Sequence, residues 1–451
     1  MHRFRRILMA LAVVIVTAFC GIVLWLMVTP PALLQVGAGY AAKIVCSNVF
    51  IAGRDPDEVL ALDVQAPGHP LLRLMSIDVD HAGQSVRAAI LGFIAENEAV
   101  YREGLGCAVI PPGISPEQFP PPPVPVPAVP VETDAGLWPD GQQIESDQAI
   151  MRILSDADLT GPGMRAVVVV KGGRIVGEAY GPGFSRETPL LGWSMTKTVN
   201  AAIVGTLMQR RLIKLSDRQL LPEWLGDERA QISLGNLLAM EDGLAFNENY
   251  GAVTDVTRML FLEPDMAAYA SQVPLEERPG TRFSYSSGTA ILLSRIWMDR
   301  LPDANAATTY PSNALFRPLG MSSAVFETDL SGTFVGSSYL YASARDWARF
   351  SLFLMRGGVW NNKRLLPREL IDLMSQPNET SGGRFSKGQT WLAGRDEAGL
   401  PADSYFLEGH DGQMIAILPS LDLVVVRLGL TPRSLGYDTL PLVEEIVRQE
   451  R

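Results

Sequence analysis

Cysteine, histidine and lysine are all scarce in this chain of 451 residues. The cysteines are Cys20, Cys46 and Cys107, and the histidines are His2, His69, His81 and His410. Beyond residue 112 there is no cysteine and a single histidine. This excludes a Cys/His zinc cluster and a cysteine nucleophile from the larger part of the chain. Chemistry there has to use Ser, Lys, Tyr, Asp, Glu or His410, and nothing in the sequence requires a metal or another cofactor. Positive charge is short as well: 38 Lys and Arg stand against 49 Asp and Glu, a net charge of −11. That balance argues against a nucleic-acid partner. The length allows two or three domains and a substantial core.

One long hydrophobic run is present. Arg3, Arg5 and Arg6 precede an uncharged apolar stretch from Ile7 to Val28 that ends at Pro30-Pro31. A bilayer-spanning helix needs ~20 such residues, and the arginines set the cytoplasmic side. Val16-Thr17-Ala18 offers a signal-peptidase site, but the run continues through Gly21-Ile22-Val23-Leu24-Trp25-Leu26, beyond an ordinary signal core. Residues 1–31 therefore read as an uncleaved, single-pass signal anchor in a bacterial inner membrane. The remainder is expected in the periplasm or outside the cell, with secretion after cleavage as the alternative. Phe19 is bulky where a lipidation site before Cys20 needs a small residue. Cys46 and Cys107 then face an oxidising compartment, where paired cysteines usually close. The disulfide is expected, and its loop is worth about 4 kcal/mol by chain entropy; two separate buried thiols are the alternative.

Residues 32–112 read as a small accessory β domain. Val86–Ile94 and Glu98–Arg102 look like strands around a hairpin at Ala95-Glu96-Asn97, with a further short strand at Ile77–Asp80. Residues 113–131 form a linker whose run Phe119-Pro120-Pro121-Pro122-Pro123-Val124-Pro125 favours stiff polyproline II. The third unit, 132–451, opens with strands Arg165–Lys171 and Arg174–Tyr180 around Gly172-Gly173, a two-residue hairpin signal. It closes with strands Met414–Leu418 and Leu423–Leu428 and a helix from about Asp438 to Gln449. Between them, 197–211, 232–240, 289–299 and 345–356 read as helix. Strands from both ends enclosing helices predict an α+β fold, an antiparallel sheet flanked by helices with a large helical insertion.

Three short motifs carry candidate chemistry. Ser194-Met195-Thr196-Lys197 puts a serine and a lysine on one face where an apolar helix begins. A helix N-terminus disfavours positive charge and burial lowers a lysine pKa; a neutral amine there takes the serine proton. With six lysines in the chain, the spacing alone arises by chance in about one chain in three. Its weight comes from the apolar helix that follows, where a solvated lysine is out of place. Tyr285, in Pro279-Gly280-Thr281-Arg282-Phe283-Ser284-Tyr285-Ser286-Ser287-Gly288, sits on a loop ahead of a helix. Near a lysine ammonium its pKa is expected to fall, letting it share proton transfer. Glu408-Gly409-His410-Asp411-Gly412-Gln413 leads into a strand, with glycines that permit close backbone approach to a ligand.

In this order the motifs resemble the serine β-lactamase and penicillin-binding-protein superfamily. Within it, the chain is most similar to the class C-like esterase and amidase branch that includes 6-aminohexanoate-dimer hydrolases. Ile232–Leu244, Phe316-Arg317-Pro318-Leu319-Gly320-Met321 and Ala344-Arg345-Asp346-Trp347-Ala348-Arg349 fit the same branch, so the resemblance spans about 140–445. It implies a β-lactamase/transpeptidase-like fold and hydrolysis of a small ester or amide through an acyl-enzyme. It further implies Ser194 as nucleophile, Lys197 as general base and Tyr285 as proton shuttle to the leaving group. The oxyanion hole would be the backbone N–H groups of Ser194 and Gln413. His410, Asp411, Gly412, Ser287 and Tyr250 would contact substrate; for Tyr250 simple packing within its loop is the competing reading. Ser287 stands where many β-lactamases carry Asn. His410 stands where they carry the lysine that helps hold the β-lactam carboxylate, which points toward esters or amides and little β-lactamase activity. Specificity would lie in the loops 246–265 and 375–405. Two other readings compete: an α/β-hydrolase with a Ser194–His410 pair, built on Gly192-Trp193-Ser194, and a non-turnover penicillin-binding or sensor module.

Overall fold

The computed structural model describes residues 2–66, 68–119, 135–393 and 399–450. The proline-rich linker expected around 113–131 lies outside the described residues from position 120 onward. Helix α1 (His2–Val28) is apolar from Ile7 onward and packs almost none of its surface. Pro31 breaks the chain before α2 (Ala32–Phe50), most of which is buried. The expectation of a small β domain over 32–112 left this helix unforeseen. Its small residues Gly37, Ala38, Gly39, Ala41 and Ala42 let the helix sit close on its neighbours, and burial on most sides leaves no single apolar stripe to announce it.

Four antiparallel strands follow, β1 (Met75–Asp80), β2 (Ser85–Ile90), β3 (Ile94–Arg102) and β4 (Gly106–Ile110), in that spatial order. The β2–β3 turn is Leu91-Gly92-Phe93, not the expected Ala95-Glu96-Asn97. Leu91 and Gly92 take the left-handed conformation, at φ 54° and 82°. Asn97 is buried within β3, where it donates to the Phe261 carbonyl.

Helix α2 also meets the rest of the molecule. Its Lys43 donates to Ser47 Oγ (2.8 Å) and to Glu327 Oε2 (2.6 Å), and lies 4.0 Å from the Tyr339 ring centroid. Glu327 Oε1 accepts from the Ser47 hydroxyl (2.8 Å) and the Cys107 amide (2.7 Å). Cys107 is disulfide-bonded to Cys46 of the same helix, with Cα atoms 6.1 Å apart. One continuous apolar core runs from Val36 and Ile44 through Phe261 to Val199 and Leu293.

Among the described residues, the main sheet has six antiparallel strands. These are β5 (Met164–Lys171), β6 (Arg174–Tyr180), β7 (Trp391–Leu392), β8 (Tyr405–Gly409), β9 (Gln413–Leu418) and β10 (Leu423–Gly429), ordered β7-β8-β9-β10-β5-β6. Gly172 and Gly173 both have positive φ, as a two-residue hairpin turn needs. The valine runs exist because both faces are covered. Val168, Val170, Val424 and Val426 face the large core, while Val167, Val169 and Val425 face Ile150, Leu154 and the closing helix Leu440–Gln449. Strand pairing is antiparallel throughout. That arrangement excludes the α/β-hydrolase alternative, which needs parallel strands alternating with helices.

Candidate active site

The helix bearing Lys197, α3 (Thr196–Gln209), is buried from Thr196 to Met208, as its run of Val, Ala, Ile and Leu requires. A short 3₁₀ turn, Trp193–Met195, precedes it and carries Ser194. Trp193 is left-handed at φ 49°, an unfavourable conformation for a bulky residue. It is held by edge contacts of its ring with Tyr339 and His410. The Gly192 amide donates to the Leu340 carbonyl (2.9 Å), which ties this turn to the strand Leu340–Ala342.

Lys197 is buried. Its Nζ lies 3.1 Å from Ser194 Oγ and 3.1 Å from Ser287 Oγ, and it donates to the Ser337 carbonyl at 3.1 Å. Burial pulls its pKa down to about 8, partly opposed by the negative charge of Glu248. The amine is therefore neutral in an appreciable fraction of molecules near neutral pH. It also lies 4.7 Å from the centroid of the Tyr285 ring.

Tyr285 stands just ahead of helix α4 (Ser287–Met298), whose N-cap Ser286 accepts from the Thr289 amide at 3.0 Å. Backbone bonds from Ser284 to Met240 (2.8 Å) and from Gly280 to Glu241 (2.7 Å) fix its loop. Its hydroxyl interacts with Ser194. Contrary to the expected lowering, its pKa is raised, first by burial and then by Glu248 and Glu408, with the Ser194 hydrogen bond opposing. Desolvation outweighs the Ser194 hydrogen bond. Tyr285 is a neutral phenol, able to donate a proton.

Ser287, expected to contact substrate, is fully buried beneath Lys197. Its hydroxyl donates to Glu248 Oε1 (2.5 Å), and its amide donates to Glu248 Oε2 (2.7 Å). Glu248 was not singled out in the sequence, although it lies two residues before Tyr250. Burial raises its pKa while Lys197 and Ser287 lower it. The Tyr250 phenol turns toward Glu248, Ser287 and Ser338, while 39% of the residue stays exposed. Ser337 and Ser338 lie far from Glu248 in the chain, and no local pattern announces any of the three.

The third motif forms a tight turn between β8 and β9. Asp411 and Gly412 are left-handed, at φ 56° and 82°. Gly409 pairs with Gln413 and packs on the nucleophile turn: a Cβ at 409 would lie 2.4 Å from the Gly192 carbonyl. The Gln413 side chain donates to the His410 carbonyl (3.1 Å) and to that of Gly429, and accepts from the Gly429 amide (2.9 Å). Buried Arg427 donates to the Gly412 carbonyl at 2.8 Å. The His410 imidazole is about half exposed and faces Asp411 at 3.4 Å. It stacks on Tyr250 (5.7 Å) and meets the edge of Trp193 (5.5 Å). The structure thus joins Ser194, Lys197, Tyr285 and Ser287 in one cluster and sets His410 and Tyr250 at its rim.

An antiparallel sheet flanked by helices, with a serine–lysine pair at the start of a buried helix and a tyrosine beside it, defines a protein of the β-lactamase and transpeptidase type. A profile of the beta-lactamase family matches residues 156–436, and the chain belongs to that family, within the serine β-lactamase and penicillin-binding-protein superfamily. Several solved structures share the fold. A putative 6-aminohexanoate-dimer hydrolase from Bacillus anthracis is 21% identical, with a TM-score of 0.58 over 72% of this chain and 90% of its own. A penicillin-binding protein from Bacillus halodurans is 17% identical, with a TM-score of 0.51 over 66% of this chain and 99% of its own. A family VIII carboxylesterase is 16% identical, with a TM-score of 0.51 over 68% of this chain and 99% of its own. Among curated sequences, an uncharacterized protein of Alkalihalophilus pseudofirmus is 30% identical over 98 residues, 20% of this chain. The chain spans 29% of that relative's length.

Proposed function

We propose that this chain is a serine hydrolase that cleaves a small ester or amide through an acyl-enzyme. The observation that carries this reading is Lys197 Nζ at 3.1 Å from Ser194 Oγ, with a pKa of about 8. Neutral Lys197 takes the Ser194 proton as Oγ attacks the carbonyl carbon. The N–H groups of Ser194 and Gln413 then receive the oxyanion. As the tetrahedral intermediate collapses, the Tyr285 phenol gives its proton to the departing alcohol or amine and regains one from the Lys197 ammonium. Water repeats the sequence on the acyl-serine and releases the acid.

Esters and amides are favoured over β-lactams because the third motif has His410 where many β-lactamases carry the lysine that helps hold the substrate carboxylate. The structural relatives named as a 6-aminohexanoate-dimer hydrolase and a carboxylesterase accord with that preference. The rest of the organisation belongs to the same proposal. Residues 1–31 anchor the chain in a bacterial inner membrane, residues 32–112 form an accessory unit, 113–131 a linker, and 132–451 the hydrolase, outside the cytoplasm.

A hydrolysis panel tests this reading. It compares p-nitrophenyl esters, short linear amides, D-amino-acid peptides and nitrocefin for the wild type beside Ser194→Ala. The expected result is turnover of esters or amides that disappears in Ser194→Ala. Turnover of nitrocefin far above the esters would contradict the role given to His410.

A further inference from the structure

A cavity of about 390 Å³ lies beside the site and belongs to no part of the mechanism above. One wall is made by residues outside the family match at 156–436: Leu34 from α2, Leu72 from the turn before β1, Met75 from β1 and Ile90 from β2. Phe261 closes the floor, and the far end is polar, formed by Tyr250, His410 and Asp411 beside Trp193. The volume is that of a small-molecule site.

Two features connect this cavity to the nucleophile. Trp193 lines it and is the residue before Ser194. Tyr250 lines it as well, and its phenol turns to Glu248 and Ser287 beneath Lys197. The cavity also begins near the proposed anchor: α1 ends at Val28, and Leu33, 41% exposed, stands at the lip with Leu71. Apolar walls with one polar end fit an amphiphile. The side of the scissile bond follows from Tyr285, which packs on Phe385 and Trp391 rather than on the cavity's aromatic residues. A leaving group takes its proton from Tyr285, so the part of the substrate on the cavity side is the acyl part.

We propose that this cavity holds the linear acyl chain of an amphiphilic ester or amide whose carbonyl is presented to Ser194 over the Trp193–His410–Tyr250 rim. The inference rests on the hydrolase reading and adds the substrate class. The accessory unit then supplies half of the substrate site. Each methylene placed in such a cavity improves kcat/KM by roughly three- to fourfold.

The test uses the full chain in lipid nanodiscs and p-nitrophenyl esters of two, four, eight and twelve carbons. Wild type is compared with Ala252→Trp at the cavity mouth and Leu72→Trp in its wall. Both partition effects and disc composition cancel in the ratio between variant and wild type. The expected wild-type kcat/KM for the octanoyl ester exceeds that for the acetyl ester by roughly a hundredfold or more. Either folded tryptophan variant lowers this ratio at least tenfold. Dodecanoic acid is expected to compete with the octanoyl ester in wild type, and acetic acid is not. That arm decides the matter even if neither variant folds. A flat chain-length profile with no competition by dodecanoic acid overturns the proposal, as does a ratio unchanged in both folded variants. Ester turnover that survives Ser194→Ala overturns the hydrolase reading instead.

Discussion

Lys197 hydrogen-bonds two hydroxyls and one carbonyl, and Glu248 reaches it through Ser287. Burial without a contacting carboxylate is what lowers a lysine pKa most effectively. The base must be neutral, so kcat/KM is expected to rise with pH, reach half its maximum near pH 8 and level off above it. Glu248 works against this by favouring the ammonium. Glu248→Gln is therefore expected to move the rising limb to lower pH, read from a kcat/KM profile between pH 5 and 10. A purely structural role would lower the plateau and leave the limb in place. Of this cluster, Ser194, Lys197 and Tyr285 were legible in the sequence because each sits in a recognisable local pattern. Glu248 and Ser337 were not, because they meet Lys197 only through the packing of distant loops. The direction of the Tyr285 shift was misread for a related reason: the sequence shows a neighbouring cation, whereas the extent of desolvation appears only in the folded protein.

Among the elements, α2 connects the two parts of the molecule. The Lys43–Glu327 pair is fully buried and hydrogen-bonded to Ser47 and the Cys107 amide. Removing one partner strands a buried charge, at a cost of about 3–5 kcal/mol. Lys43→Ala is accordingly expected to lower unfolding free energy by that amount in urea titrations. Reducing the Cys46–Cys107 bond should cost about 4 kcal/mol by loop entropy. The two losses should not simply add, since Glu327 contacts both features. Little loss from either change would mean that α2 is held by apolar packing alone. The sequence disclosed the strand pairs 164–180 and 413–429, because valine runs and the Gly172-Gly173 turn are local signals, but it misplaced the turn near residue 92. It concealed α2, whose alanines and glycines are placed for close approach to other segments.

At the scale of the whole molecule, α2, the four-stranded sheet and the segment that matches the beta-lactamase family line one cleft, while helix α1 stands apart from it. Helix α1 packs against little, so deletion of residues 2–28 is expected to shift the protein from the membrane to the soluble fraction without changing its urea midpoint. A truncated chain that still sediments with membranes would assign the attachment to another surface. The antiparallel pairing was foreseeable because strands lie at both ends of the segment that matches the family, whereas the strand order was not read from the sequence. The union of the accessory unit with that segment in one core was not, since it depends on contacts such as Asn97 with Phe261 and Arg102 with Thr328. The central claim is that Lys197, not His410, activates Ser194. Its most direct test is the rate of fluorophosphonate labelling, with the modified residue mapped by peptide mass, in wild type, Lys197→Ala and His410→Ala. The account predicts modification at Ser194, a loss of at least about a thousandfold in rate in Lys197→Ala, and a rate within about tenfold of wild type in His410→Ala. Rapid labelling of Lys197→Ala together with loss of labelling in His410→Ala would contradict it.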